Sequence, residues 1–325
     1  MNPTSRHIKN FDRQEIEFQT TIAGIKLEHP LTNAAGTCKL IGEVKALAHT
    51  ATAAIMAGSI TVEERESNPG ETYWSGTFFS LNSRGLPNPG MSYYRRYFPE
   101  MVEITHRAGK PLFVSVAGSV SSEYATLTKL CFEKGADLVE LNLSCSNLWK
   151  DERQEPIICF NLKLVREILD RIKKAVGPKE KIAVKLSPFS DPFLLKKVAK
   201  VIEQSKIVKA VTTTNTFPNA LAYDDRGKPR ITVRDGLASL GGPALNPIAL
   251  GQVKQFRDIL PEHIDVIGSG GVTTGQDVVN FRRAGAKAVQ ITTAILNKDP
   301  RRVFDRVLMQ FVEATKRAKE SPNCN

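Results

Sequence analysis

Short apolar runs rich in β-branched residues recur along the chain and alternate with amphipathic segments. The eight runs are Leu31–Ala34, Ala53–Ala57, Leu112–Ala117, Leu138–Leu143, Ile182–Leu186, Ala210–Thr214, Ile264–Ile267 and Ala288–Thr292. A strand that is buried in a parallel sheet needs apolar residues on both of its faces. The pattern therefore predicts eight buried parallel strands.

Between these runs, apolar residues recur at the three- and four-residue steps of helices. The segments are 41–49, 161–176, 193–204, 247–259, 274–284 and 300–318. Eight strand–helix units predict an α/β fold, a (β/α)8 TIM barrel with long strand-end loops. A doubly wound sheet is the alternative, but it usually has fewer strands and a G-x-G-x-x-G turn after its first strand.

Residues 15–27 alternate between apolar and polar positions and contain a turn at Ala23-Gly24. This pattern predicts an N-terminal β-hairpin that closes the bottom of the barrel. No low-complexity segment or Ser/Gly linker divides the chain, so we predict one barrel domain over residues 1–325.

The composition is that of an ordinary globular protein, with 41% hydrophobic and 24% charged residues. No apolar run is long enough to cross a bilayer, and the N-terminal residues lack the apolar core of a signal peptide. We therefore expect no membrane association and a cytoplasmic location. The net charge of +11 fits either a solvated surface or attraction of small anions. The basic residues are scattered, so nucleic-acid binding is not expected.

The five cysteines match no zinc pattern, and the five histidines form no HExxH motif. We therefore predict no metal site. Cys145 is distinctive because it directly follows a predicted strand, where a thiolate could act as a base or nucleophile. The other cysteines are predicted to be core or tail residues.

The active site of such a barrel lies at the carboxyl ends of its strands. Gly268–Gly271 and Thr292-Thr293 follow the last two strands, which is the usual phosphate-binding position. A tight turn is the simpler interpretation of the glycines. Asparagines also recur at this rim and favour recognition of a planar, amide-rich ring such as a pyrimidine or an isoalloxazine. They are Asn33, Asn82, Asn142, Asn147 and Asn215.

Six motifs occur in one order along the chain: Asn33-Ala-Ala-Gly, Asn82-Ser-Arg-Gly-Leu-Pro-Asn, Asn142-Leu-Ser-Cys-Ser-Asn, Val184-Lys-Leu-Ser-Pro, Thr214-Asn-Thr, and Ile267-Gly-Ser-Gly-Gly-Val-Thr-Thr-Gly-Gln-Asp. Over residues 18–318 the chain resembles dihydroorotate dehydrogenases, flavin mononucleotide (FMN) oxidoreductases of pyrimidine synthesis. Cysteine at position 145 resembles the class 1 enzymes, and we favour the homodimeric, fumarate-using subclass 1A.

The resemblance implies that (S)-dihydroorotate is oxidised to orotate, with Cys145 as the general base and hydride transfer to FMN. Asn147 would support the base, and Lys185 would stabilise negative charge on the reduced flavin. The implied substrate contacts are Asn82, Arg84, Gly85, Leu86, Asn142, Asn215 and Thr216. The implied FMN contacts are Ala34, Ala35, Gly36, Ser59, Asn142, Lys185, Gly242, Gly270, Gly271, Thr292 and Thr293.

Three positions depart from the family pattern. Gly58 stands where the family has a lysine that touches flavin and substrate, Ser146 stands where proline is usual, and Thr292 stands where glycine is common. Arg84 or Lys39 could supply the missing cation. Alternatively, the chain is a related flavin oxidoreductase acting on another dihydropyrimidine-like ring, a catalytically impaired FMN-binding homologue, or a non-redox barrel enzyme with a phosphorylated substrate.

Overall fold

A computed structural model describes residues 18–150, 153–296 and 298–320. In chain order its strands and α-helices are β1 (Thr20–Ile22), β2 (Ile25–Leu27), β3 (Leu31–Asn33), α1 (Ile41–Ala48), β4 (Ile55–Ile60), β5 (Tyr73–Ser75), β6 (Ser80–Asn82), α2 (Gly90–Arg107), β7 (Leu112–Val116), α3 (Ser121–Glu133), β8 (Leu138–Asn142), β9 (Trp149–Lys150), β10 (Arg153–Gln154), α4 (Leu162–Val176), β11 (Ile182–Leu186), α5 (Pro192–Ser205), β12 (Val208–Thr213), β13 (Phe217–Ala220), β14 (Ala238–Gly241), α6 (Asn246–Ile259), β15 (Asp265–Ser269), α7 (Gly275–Arg283), β16 (Ala288–Ile291) and α8 (Pro300–Glu320).

The central sheet has eight parallel strands in the order β3-β16-β15-β12-β11-β8-β7-β4. Each of these strands is followed by one of the helices α1–α8, so the predicted (β/α)8 barrel is confirmed. The eight apolar runs of the sequence all coincide with these strands. The barrel is closed by contacts between its two end strands, β3 and β4.

The hydrophobic core has two layers, because successive strand residues face opposite sides of the sheet. One side packs against the helices, as with Val114 and Val184. The other side fills the barrel interior, where Met56 and Phe113 meet Ile22 and Leu27 of the β1–β2 hairpin. The hairpin also donates hydrogen bonds at the amino ends of the last two strands, from Ala23 N to Asp265 Oδ2 at 2.7 Å and from Thr20 Oγ1 to Lys287 O at 2.8 Å. The prediction that it closes the bottom of the barrel is confirmed for residues 20–27, whereas residues 15–17 of the predicted segment lie outside the described residues.

A second sheet covers the opposite end of the barrel. Its order is β13-β14-β6-β5, and all of its pairings are antiparallel. Strands β5 and β6 come from the loop after β4, whereas β13 and β14 come from the loop after β12. The long strand-end loops predicted from the sequence therefore form an ordered roof over the carboxyl ends of the barrel strands.

Candidate active site

A cavity opens between the carboxyl ends of the barrel strands and this roof. It encloses about 1150 Å³ when the space open to solvent is counted. Eighteen predicted site residues line it: Ala35, Gly36, Ser59, Asn82, Arg84, Gly85, Leu86, Asn142, Cys145, Asn147, Lys185, Asn215, Thr216, Gly242, Gly270, Gly271, Thr292 and Thr293.

Two residues that the sequence analysis placed at this rim lie elsewhere. Ala34 does not line the cavity; it is fully buried, and its N–H donates to Ile291 O at 2.9 Å. Asn33 is also fully buried and turns toward β4, where its side chain hydrogen-bonds the backbone of Met56. Asn33 therefore has a structural position at the junction of the two end strands.

The other rim asparagines form two hydrogen-bonded groups on the cavity wall. Asn147 Nδ2 donates to Asn82 Oδ1 at 2.9 Å, and Ser239 Oγ donates to Asn147 Oδ1 at 3.0 Å. In the second group, Asn142 Nδ2 donates to Ser59 Oγ at 3.0 Å, and Asn215 Nδ2 donates to Ser144 O at 3.2 Å. Amides held this firmly present their remaining donors and acceptors in fixed directions, as recognition of a planar polar ring requires.

Cys145 lies between these groups, in the loop after β8, and is half-buried. Burial raises the pKa of its thiol to about 11, while the Asn147 backbone N–H and the charge of Arg65 oppose that increase. The thiol is thus largely protonated at neutral pH in this structure. Cys38, Cys131 and Cys159 are fully buried, so their prediction as core residues is confirmed, and Cys324 lies outside the described residues.

Lys185 enters the cavity from β11 and is only 5% exposed. Within the described residues its ammonium group has no hydrogen bond and no ion pair. A buried cation without a partner is costly, so this position favours a ligand with negative charge or acceptor atoms. Among the described residues, those that line the cavity include Lys39, Arg84 and Lys185 but no aspartate or glutamate.

The glycine turns after β14 and β15 pack closely together at the other side of the cavity. Gly271 has a φ of +70°, and a β-carbon added there would lie 2.8 Å from both Asn246 N and Gly242 O. The backbone N–H groups of Gly270, Gly271 and Thr293 find no acceptor within the described ranges. Free N–H groups around a side-chain-free turn form a cradle that suits a phosphate group.

Some residues of the cavity were missed by the sequence analysis: Tyr73, Ser80, Thr214 and Gln290. Position alone could have identified Thr214 and Gln290, which stand at the carboxyl ends of barrel strands. Tyr73 and Ser80 belong to the roof, whose pairing could not be predicted from local sequence. In the part of the chain that the structure describes, no group of His, Cys, Asp and Glu side chains could hold a metal ion, and no helix could span a membrane.

The fold and the cavity define an α/β-barrel enzyme with its site beneath the carboxyl-end loops. Residues 17–314 match the family described as dihydroorotate dehydrogenase. The chain belongs to this family of oxidoreductases, whose members are generally flavin-dependent. The resemblance read from the six motifs is therefore confirmed.

Similar proteins carry names from the same family. The chain is 33% identical over 301 residues to dihydroorotate dehydrogenase A (fumarate) of Lactococcus lactis subsp. cremoris strain MG1363, covering 90% of this chain and 93% of that protein. It is 32% identical to dihydroorotate dehydrogenase (fumarate) of Trypanosoma cruzi strain CL Brener, covering 88% and 89%. The crystal structure of the Eimeria tenella enzyme in complex with ferulenol superposes with a TM-score of 0.77 at 18% identity, covering 93% of this chain and 85% of that one, and so supports the fold.

Proposed function

We propose that this protein oxidises (S)-dihydroorotate to orotate in pyrimidine synthesis, with FMN as its cofactor and fumarate as the electron acceptor. The observation that carries the proposal is one cavity in which a half-buried thiol, Cys145, and an unpartnered cation, Lys185, lie beside rigid amides. Relatives named as fumarate-using enzymes support the choice of acceptor. A homodimer and a cytoplasmic location stay predictions.

The residues present fit FMN. The cradle at Gly242, Gly270 and Gly271, with Thr292 and Thr293, would hold its phosphate through backbone N–H groups. Lys185 would stabilise negative charge on the flavin ring, and Ala35 and Gly36 would pack against that ring. When bound, FMN would supply the two-electron oxidant that the reaction needs.

The chain's own residues would bind the substrate and move its proton. Asn82, Asn142, Asn215 and Thr216 would hydrogen-bond the pyrimidine ring, together with backbone groups of the loop at 84–86. Cys145 Sγ, as the thiolate, would take the proton from C5 of dihydroorotate while C6 is oxidised. The backbone N–H of Asn147, which lowers the pKa of the thiol, would stabilise that thiolate. Because burial raises the pKa of the thiol, the fraction of thiolate, and with it the amount of active base, would grow as the pH rises.

The test is a visible absorption spectrum of the purified protein, followed by anaerobic addition of dihydroorotate. We expect a flavin spectrum that bleaches when dihydroorotate is added. Persistent yellow colour would contradict the dihydroorotate assignment and favour another dihydropyrimidine-like substrate, consistent with glycine at position 58. A colourless protein that takes up no FMN would favour a non-redox barrel enzyme.

A further inference from the structure

Gly58, near the end of β4, is held between β7 and the loop after β3 and cannot present a side chain to the cavity. Its N–H donates to Cys38 O at 2.8 Å, and its carbonyl accepts from Gly36 N at 2.6 Å. With a φ of +106°, a β-carbon added there would overlap the carbonyl oxygen of Ser115 on β7. The end of β4 is therefore built for glycine, and this position supplies no cation to the site.

The same backbone contacts fix the position of Lys39, the residue after Cys38. Lys39 is partly buried and lines the cavity from the loop after β3. Arg84 lines the cavity from the roof, with its guanidinium carbon 4.9 Å from the centre of the Tyr73 ring. The loop that pairs with Gly58 thus delivers a cation close to the position where none can be attached.

Neither cation has a carboxylate partner within the described residues. Glu43 on α1 is the acidic group near Lys39, but its Oε2 accepts from the backbone N–H groups of Lys39 and Leu40, the latter at 2.8 Å. Burial and the charge of Arg84 lower the pKa of Lys39 to about 8, and Glu43 opposes that decrease. Two neighbouring cations that are partly removed from water repel each other, and an anion bound between them stabilises both charges.

We propose that Lys39 and Arg84 together bind the carboxylate of a planar ring substrate, at the side of the cavity where Gly58 supplies no cation. This inference rests on the proposed function, since orotate and dihydroorotate carry such a carboxylate. Lys39 and Arg84 would be specificity-determining residues that separate acidic rings from neutral ones. Neither Lys39 nor Arg84 belongs to the phosphate cradle described above.

The experiment measures equilibrium binding of orotate, nicotinate, benzoate and neutral uracil to the flavin-loaded protein through the flavin absorbance. We expect Lys39→Met and Arg84→Met each to weaken orotate binding by about 10- to 100-fold, as for loss of a charge-assisted hydrogen bond, and to leave uracil binding unchanged. Lys45→Met is the matched control, because Lys45 is an exposed cation on α1 that pairs with Glu100 instead. Flavin spectra and melting temperatures verify that each variant is folded.

A pH series adds a readout that a purely structural residue would not change. Orotate affinity should fall as the pH rises through about 8, where Lys39 loses its proton, and Lys39→Arg should remove this decrease because arginine stays charged. The charged groups facing Lys39 are Arg84 from the roof and Glu43 from α1.

The outcomes separate this inference from the proposed function. Equal orotate affinity of the wild type, Lys39→Met and Arg84→Met would overturn the cation pair and leave the dehydrogenase assignment standing. Lys39-dependent binding of nicotinate or benzoate without orotate binding would support the pair and overturn the dihydroorotate assignment. If no carboxylate binds the wild type, the cation pair is overturned. The anaerobic reduction of the flavin by dihydroorotate then tests the proposed function separately.

Discussion

Asn33 makes two hydrogen bonds with the backbone of a single residue, Met56. Its Nδ2 donates to Met56 O at 2.8 Å, and its Oδ1 accepts from Met56 N at 2.9 Å. This amide joins β3 to β4, the two end strands of the barrel sheet. Its side chain thus makes hydrogen bonds to β4 of the kind that backbone groups make between paired strands.

Replacing Asn33 with alanine should therefore destabilise the fold. Both backbone groups of Met56 would lose their partner while fully buried, which costs about 2–4 kcal/mol in the free energy of unfolding. Urea unfolding followed by circular dichroism measures the loss. Asn161→Ala removes only a helix N-cap on α4 and should cost about 1 kcal/mol; equal losses in the two variants would contradict the role of Asn33.

The phosphate cradle predicts a localised effect at Gly271. In Gly271→Ala, the new methyl group would meet Asn246 N and Gly242 O at 2.8 Å, and the positive φ adds strain. We expect flavin to be lost during purification, which would be seen as a lower ratio of flavin absorbance to protein absorbance. Gly251→Ala, in an exposed and open stretch of α6, should retain full flavin content.

The raised pKa of Cys145 predicts the pH dependence of flavin reduction. Since the thiolate is the base, the rate should rise with pH toward about 11, and Cys145→Ser should slow reduction by about 100-fold or more without altering the oxidised spectrum. Anaerobic stopped-flow mixing with dihydroorotate measures both effects. Cys131→Ala, which changes a buried thiol on α3, should keep the wild-type rate; a serine variant that keeps the wild-type rate would rule out Cys145 as the base.

His29 predicts loss of stability in acid. Burial, aided by the charge of Lys110, lowers the pKa of this histidine to about 3. Below pH 6.5 the unfolded chain binds a proton at this position that the folded chain does not, so stability falls as the pH falls from 6.5 toward 3. Between pH 7 and 4.5 this contributes about 2–3 kcal/mol.

His29→Gln should reduce that pH dependence, and the measurement is urea unfolding at the two pH values. His263→Gln is the control, because His263 is exposed. If both variants keep the wild-type difference between pH 7 and 4.5, protonation of His29 is not a cause of acid instability.

Local patterns were sufficient to predict the barrel strands, because strands buried on both faces are apolar throughout, as in Ile182–Leu186. Helix α3 was not among the predicted helical segments, and neither was helix α2. Helix α2 starts with a glycine, contains Pro99 and has low hydrophobicity, and it is held by buried residues such as Tyr94 and Phe98. Tertiary packing thus outweighs its weak helix propensity.

Within the site, the glycine turns and the strand-end asparagines could be predicted because their position relative to a strand defines their location. The direction of a side chain could not. Asn33 and Asn82 look alike in sequence, yet one points toward β4 and the other toward the cavity. The placement of Lys39 depends on the backbone bridge between Cys38 and Gly58, which joins the loop after β3 to strand β4.

The pairing of β6 with β14 links residues 80–82 to residues 239–241. The two long loops of the barrel consequently fold as one unit, since each supplies the strand edge with which the other pairs. A chimera that takes only one loop from a relative would leave that edge exposed, so substrate range in this barrel is best re-engineered by exchanging both loops together.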